Sequence, residues 1–476
     1  MSIDRRSFLY AGIGTAVLAN SNRALAAASR KAQTRIVQNG RNVLMICVED
    51  LRDVLGCYGN PVVKTPNIDR LAAKGVRFER AYCQFPVCNP SRSSFLTGLR
   101  PDTTGVLGNV VSMRELNPDV KTLPGLFHDN GYHTVRLGKI FHGTGEHDDP
   151  AAWDQMFDPD DSPAANTGES RNMTGGAVKW CSWRAAQCGD SDMSDGKIAD
   201  ITVDLLGKHR SEPFFIAAGF HKPHDPFNAP KKYFDMYPLN ELVPVTDPSN
   251  KTAEPEIIFG SEWKKAFEKF TDHERKEFMR SYYACVSFTD AQIGKILDRL
   301  DRDNLWDNTI VLFLGDHGYN LGEHGWWNKN VLYEHSARVP MIAHVPGVTK
   351  GGGSTRGIVE LVDLYPTLAH LCGLEHDFGL EGISFAPLIA EPAREWKEAA
   401  FTQVQRGDTA GRSVRNKRWR YTEWGDDGRR GKELYDHNND PSEYFNLIDT
   451  PGLEDVQKSM KELLKNGRNK LVETMV

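Results

Sequence analysis

The sequence predicts an α/β protein built on a predominantly parallel sheet flanked by helices, with a smaller C-terminal α+β subdomain. Three observations predict it. Short, continuous apolar runs recur along the chain, each closed by polar residues, as in parallel strands buried on both faces. Helical stretches alternate with those runs, the pattern of a sheet with helices packed against it. Beyond Glu391-Pro392 the texture changes to brief strands broken by turns.

The elements follow in order. Asn42 to Val48 is the first apolar run and ends in Glu49-Asp50-Leu51-Arg52. Tyr132 to Leu137 leads into Lys139, and Pro213 to Gly219 leads into His221-Lys222-Pro223-His224. Thr309 to Leu314 leads into Asp316-His317-Gly318, and Met341 to Val345 is a further strand. Helices are expected over Asn67 to Lys74, Thr122 to Asn130, Gly196 to His209 and Glu274 to Asp303. In the last, Ile293, Ile296, Leu297 and Leu300 share one face. Asp158 to Gly189, rich in Asp, Ser, Gly and Asn, reads as an inserted loop. Short strands are expected at Phe401 to Val404, Ser413 to Arg415, Trp419 to Trp424 and Lys432 to Asp436, then a helix from about Leu453 to Lys470. The expected division is a targeting segment at 1–26, a main domain at 40–390 and a subdomain at 391–476. Open α/β sheets bind ligands beyond the carboxyl ends of their strands, where these polar clusters fall.

The chain has 476 residues, enough for one large core and a subdomain. Its net charge of −6 argues against capture of polyanions by bulk charge. Anion affinity must come from a local basic cluster, and nothing supports nucleic-acid binding. No internal apolar run reaches about 18 residues, so no membrane span is expected. At the N-terminus, Arg5-Arg6-Ser7-Phe8-Leu9 precedes an apolar stretch from Tyr10 to Ala19 and the small-x-small pattern Ala24-Leu25-Ala26. That order reads as a twin-arginine export signal, so the translocation machinery is an expected partner and the mature chain is expected in the periplasm or outside the cell. Cleavage after Ala26 removes Arg5, Arg6, Arg23 and Asp4 and leaves the chain more acidic.

The cysteines are Cys47, Cys57, Cys83, Cys88, Cys181, Cys188, Cys285 and Cys372, with no C-x-x-C spacing. Cys181 and Cys188 are a candidate local disulfide for an exported protein; the alternative is two free thiols.

Glu49-Asp50 and Asp316-His317 each follow a strand. Hard oxygen ligands of this kind suit Ca²⁺ or, less well, Mg²⁺. One such pair alone is often solvated loop charge; two at equivalent strand ends, one within Gly315-Asp316-His317-Gly318, point to a shared metal. The run Cys88-Asn89-Pro90-Ser91-Arg92-Ser93-Ser94-Phe95-Leu96-Thr97-Gly98 resembles the signature of type I sulfatases. Further segments resemble the iduronate-2-sulfatase branch. They include Leu55-Gly56-Cys57-Tyr58-Gly59, Gly138-Lys139-Ile140-Phe141-His142, His221-Lys222-Pro223-His224 and Leu321-Gly322-Glu323-His324-Gly325. The resemblance runs from about residue 42 to 447.

This resemblance implies an alkaline-phosphatase-like fold and hydrolysis of sulfate esters on a sulfated carbohydrate. It implies that a maturase oxidises Cys88 to formylglycine, whose hydrate is the nucleophile, and that a Ca²⁺ is held by Glu49, Asp50, the modified Cys88, Asp316 and His317. One departure stands out: the branch commonly has two Asp where this chain has Glu49-Asp50. Arg92, Lys139 and Lys329 match the cationic positions that neutralise a sulfate ester. His221 matches the acid that protonates the leaving alcohol, and His142 matches the base that releases sulfate. His224 and Tyr319 are candidate substrate contacts. The basic run Arg412, Arg415, Lys417, Arg418 and Arg420 either lines the mouth of the site or is a solvated face. Because the twin-arginine route carries folded proteins, oxidation of Cys88 is expected before export.

Two rival readings stand beside this. One is a phosphonate monoester or phosphodiester hydrolase, which shares a Cys-x-x-x-Arg nucleophile. The other is a catalytically silent carbohydrate-binding relative.

Overall fold

The computed structural model describes residues 40–143 and 147–473. The segment read as an export signal lies outside them. The main sheet runs, in spatial order, Gly353–Thr355, Val76–Tyr82, Arg338–His344, Thr309–Gly315, Asn42–Val48, Phe214–Phe220, His133–Gly138 and Gln155–Phe157. Val359–Glu360 also pairs with Val76–Tyr82. Every pairing is parallel except the two made by Arg338–His344. The strand expected near Met341 is therefore present but runs against its neighbours.

Both faces of the sheet are covered, which is why its strands are apolar throughout rather than alternating. Leu44, Ile46 and Val48 face one core, shared with Phe278, Ile293 and Leu297 of the helix Asp272–Arg302. Val43, Met45 and Cys47 face the other, shared with Phe95 and Tyr365. The long helix starts with a capping box in which Glu274 accepts from the Thr271 backbone N–H at 3.1 Å. Among the described residues, no helix is long and apolar enough to cross a membrane.

The C-terminal sheet is antiparallel, in the order Ala400–Arg406, Thr409–Arg415, Trp419–Trp424 and Gly431–Asp436. The helix Glu454–Glu473 covers one face, packing Met460 and Leu464 on Phe401, Val414, Tyr421 and Leu434.

Two expectations change. The insertion at 158–189 is not all loop: Glu169–Asn172 and Ser182–Ala186 form a three-stranded sheet with Phe227–Pro230. Trp183 and Ala185 are buried and alternate with the less buried Ser182 and Arg184, a period of two hidden by the polar surroundings. Cys181 and Cys188 are both free thiols. They flank the extended strand Ser182–Ala186, whose five residues span about 16 Å at about 3.3 Å per residue, beyond disulfide reach.

Candidate active site

The register of the sheet sets the position of the site. Val48 pairs with both Phe220 and Gly315, and Gly138 pairs with Gly219. Glu49-Asp50, Lys139, His221 and Asp316-His317 therefore leave the sheet along one edge, beyond the strands' carboxyl ends.

Cys88 reaches that edge as the first residue of the helix Cys88–Thr97. All ten residues of this helix are buried, so its polar side chains must be satisfied internally. Asn89 Nδ2 donates to the carbonyls of Gly108 at 3.0 Å and Val111 at 2.7 Å. Ser94 Oγ donates to Leu99 O at 2.7 Å, and Thr97 Oγ1 donates to Ser93 O at 2.6 Å. Gly98 ends the helix at φ 70°, where an added side chain would also meet Leu380 and Tyr365. Ser91 Oγ donates to the Asp316 carbonyl at 2.5 Å and ties the helix to the strand end. Cys88 is thus fixed at the positive end of a helix.

Around Cys88 Sγ lie Lys329 Nζ at 3.3 Å and His317 Nε2 at 3.4 Å. Both also approach Asp50 Oδ1, at 2.5 Å and 3.3 Å. Arg92 Nε donates to Asp316 Oδ2 at 2.9 Å, and its Nη1 donates to the carbonyls of Lys139 and Ile140. Lys139 Nζ pairs with Glu49 Oε1, which also lies 3.8 Å from His224 Nε2. Asp50 adopts a left-handed conformation, φ 56°, uncommon outside glycine. Its backbone N–H donates to Asp316 Oδ1 at 3.0 Å, so the two acids are locked together.

These contacts set the charges. Burial alone would raise the Cys88 thiol, yet Lys329, Lys139 and His317, with His142 contributing, hold it well below its ordinary value. Burial also opposes ionisation of Glu49, but His224 and Lys139 bring its carboxyl down to about 2. His224, lowered by burial, is carried up to about 10 chiefly by Glu49. Asp50 is pushed up by burial, against Lys329, His224 and His317.

Two overlapping groups are spaced to hold a cation: Glu49, Asp50, Cys88 and His224, and Cys88, Asp316 and His317. Cys88 joins them. His224, expected to touch substrate, stands among the groups able to ligate. Asp50 Oδ2 is buried with no hydrogen-bond partner among the described residues. An orphaned carboxylate oxygen amid further carboxylates fits a hard divalent cation. The longer arm of Glu49 carries its carboxylate to Lys139.

His221 sits at the rim. Asp195 Oδ1 accepts its backbone N–H at 2.9 Å and lies 3.2 Å from its Nδ1. Asp195 was not among the expected residues; a lone acid at the start of the helix Ser194–Lys208 carries no distinguishing signal. His142 is half-buried, its ring edge-on to His147 with centroids 5.9 Å apart.

One expectation is corrected and one open alternative is decided. Tyr319 is fully buried, donates to Trp327 O at 3.3 Å and packs on Phe278 and Tyr282, so it is core and not a substrate contact. The basic run is not a row of free cations at the mouth. Arg420 and Arg415 are buried on Glu334, Arg418 pairs with Asp436, Lys417 with Glu395 and Arg412 with Asp102.

A family model described as Sulfatase matches residues 41–374, and one described as N-sulphoglucosamine sulphohydrolase, C-terminal, matches residues 322–470. The chain is 35% identical over 390 residues to iduronate 2-sulfatase of Mus musculus, covering 72% of this chain and 70% of that protein. It is 32% identical over 451 residues to a sulfatase of Formosa agariphila, covering 89% and 86%. One similar solved structure is a protein in complex with its substrate D-glucosamine-2-N,6-O-disulfate, with TM-score 0.73, 21% identity and coverage of 91% and 99%. Another is the phosphonate monoester hydrolase of Agrobacterium radiobacter, with TM-score 0.77, 21% identity and coverage of 90% and 96%. These two likenesses carry the fold, an alkaline-phosphatase-like sheet with a C-terminal antiparallel sheet. The family model spans most of the chain, and the relatives extend the match over its length; the chain belongs to the sulfatase family and is a sulfuric ester hydrolase.

Proposed function

We propose that the protein hydrolyses sulfate esters of a sulfated carbohydrate, with formylglycine made from Cys88 and a bound Ca²⁺. The observation that carries this reading is the setting of Cys88. It opens a buried helix and lies within 3.4 Å of both Lys329 and His317, beside the Arg92–Asp316 pair. The substrate class is supported by the iduronate 2-sulfatase relatives and by the structural neighbour bound to a disulfated glucosamine. A 2-sulfated uronate in a heparan- or dermatan-type chain is the proposed first target.

Glu49, Asp50, Asp316 and His317 would hold the metal with the modified Cys88. Bound there, the cation supplies charge that offsets the sulfate, and the hydrated aldehyde supplies the attacking oxygen. The chain's own residues do the rest. Lys139 and Lys329 face the ester oxygens and neutralise charge developing on them. Arg92, anchored on Asp316 and two carbonyls, orients the group formed from Cys88. His221, steadied by Asp195, gives a proton to the departing sugar oxygen. His142 takes the proton whose loss releases sulfate. The maturase is proposed with this reading on the run from Cys88 to Gly98, and the twin-arginine route and a periplasmic or extracellular place on the residues between Arg5 and Ala26.

The test uses protein made with a formylglycine-generating maturase. Sulfate release from a panel of sulfated mono- and disaccharides is expected in the wild type and absent in Cys88→Ala. Mass spectrometry of the peptide containing Cys88 is expected to show the aldehyde. Faster turnover of a phosphonate monoester than of every sulfated sugar would favour the hydrolase reading and overturn this one.

A further inference from the structure

A cavity of about 560 Å³ opens where the edge of the main sheet meets the segment that enters the C-terminal sheet. Arg80, Arg356, Arg394 and Lys417 converge on it, with Glu395 as its acid. None of the residues of the catalytic cluster lines it.

Three of these cations form no direct ion pair among the described residues. The guanidinium groups of Arg80, Arg356 and Arg394 make no hydrogen bond or ion pair among the described residues. Lys417 Nζ is engaged by Glu395 Oε2 at 2.8 Å. Lys397, also on the wall, is committed to the interior, with Nζ 2.8 Å from Glu360 Oε2 and 2.5 Å from Asp363 Oδ2. A further donor is orphaned at the same place: the indole N–H of Trp396 is buried with no acceptor. Arg80 is half-buried, and burial, with repulsion from Arg415 and Arg356 and against the pull of Tyr82 and Glu334, lowers its pKa below the ordinary guanidinium value.

Like charges gathered around one cavity, with Arg80 among them half-buried, repel unless an anion joins them. This gathering occurs in a chain whose net charge is −6. The walls are already fixed, because Thr355 Oγ1 donates to Pro392 O at 2.7 Å and Lys397 pins the far end of the segment. A preformed site does not spend binding energy on ordering itself. Guanidinium forks match the geometry of tetrahedral oxyanions and bind them with charge-assisted hydrogen bonds.

We propose that this cavity is a second anion site that takes a sulfate group, either free or carried on a sulfated oligosaccharide. The oligosaccharide form rests on the substrate class proposed above; the free-ion form does not.

The experiment measures binding of inorganic sulfate and of a heparin-type hexasaccharide to the full chain, by calorimetry. It is done on a Cys88→Ala background, so that nothing is turned over. The pair Arg356→Ala/Arg394→Ala removes two exposed cations, and Arg80→Gln is the independent variant. A loss of about tenfold or more in affinity for either probe supports the site. Loss with both probes identifies a site for the free ion, and loss with the hexasaccharide alone identifies a sugar-borne sulfate. In otherwise wild-type protein, Arg356→Ala/Arg394→Ala is expected to keep its rate on a small sulfated monosaccharide. If both variants bind both probes within about twofold of the parent, the proposal is wrong, whatever the fate of the catalytic reading.

Discussion

Asp195 grips His221 at two points: its Oδ1 accepts the backbone N–H at 2.9 Å and lies 3.2 Å from the ring's Nδ1. Its Oδ2 accepts the Lys222 N–H at 2.8 Å, so the carboxylate also fixes the turn that carries the ring. A proton held on Nδ1 by this carboxylate leaves Nε2 as the nitrogen that exchanges with substrate. Asp195→Asn should therefore cut kcat on a sugar sulfate by about tenfold or more, a fraction of what a general acid contributes. KM should barely move. An activated aryl sulfate, whose leaving group needs no proton, should lose far less. Equal losses on both substrates would show that Asp195 does not act through proton transfer.

Lys329 is the cation nearest both Cys88 and Asp50. Burial opposes its charge, but Asp50 and Cys88 hold its pKa well above the ordinary lysine value, so it stays protonated. Lys329→Met is expected to lower kcat by about 10²- to 10³-fold, the usual cost of losing one preorganised charge at a developing oxyanion. Lys329→Arg should not restore it, because a planar fork does not replace a point charge in this packed position.

The same cluster predicts the response to chelation. Glu49, Asp50 and Asp316 are all essentially buried and share one edge. A divalent cation should offset their repulsion and so stabilise the fold by mass action. Chelation should abolish activity and lower Tm, and Ca²⁺ should restore both better than Mg²⁺. An unchanged Tm across chelation and readdition would mean that this edge holds no metal.

The strand ends were readable before the structure because each apolar run stops abruptly at charged residues, and the register then gathers Glu49, Lys139, His221 and Asp316. The helix Cys88–Thr97 was not, because a helix buried on every side has no amphipathic period to detect. Asp195 escaped for a different reason: a single acid in a helix's first turn is common simply because it complements the helix dipole. Tyr319 was misassigned because an aromatic beside a site motif looks the same in sequence whether it faces substrate or core. Orientation there is set by Phe278 and Tyr282, which come from a helix distant in sequence. The run from Arg412 to Arg420 stayed open between two readings for a like reason, since its acids Glu334, Asp436 and Glu395 come from outside it.

Arg420 joins the C-terminal sheet to the main domain. Its Nη2 lies 2.6 Å from Glu334 Oε2 and its Nε 2.5 Å from Glu443 Oε1, and all three residues are buried. Burial would raise the Glu443 carboxyl, but Arg420 and His437 hold it down to about 2, against about 4.3 for a free glutamate. A carboxyl whose folded pKa lies below its unfolded value stabilises the fold above the unfolded value. That stability is lost as pH falls toward the folded one. The denaturation midpoint should therefore decline as pH drops from about 5 toward 2. Removing the cation leaves Glu334 with Arg415 and Glu443 with His437 as their remaining partners and strips both buried acids of their shared one, so Arg420→Met should cost about 3 kcal/mol near neutral pH. The double variant Glu443→Gln/Arg420→Met should recover part of that loss, because one of the two under-compensated charges is gone. It should also flatten the acid limb, as a glutamine does not titrate. If Arg420→Met unfolds at the wild-type denaturant concentration at pH 7, this contact does not hold the two parts together.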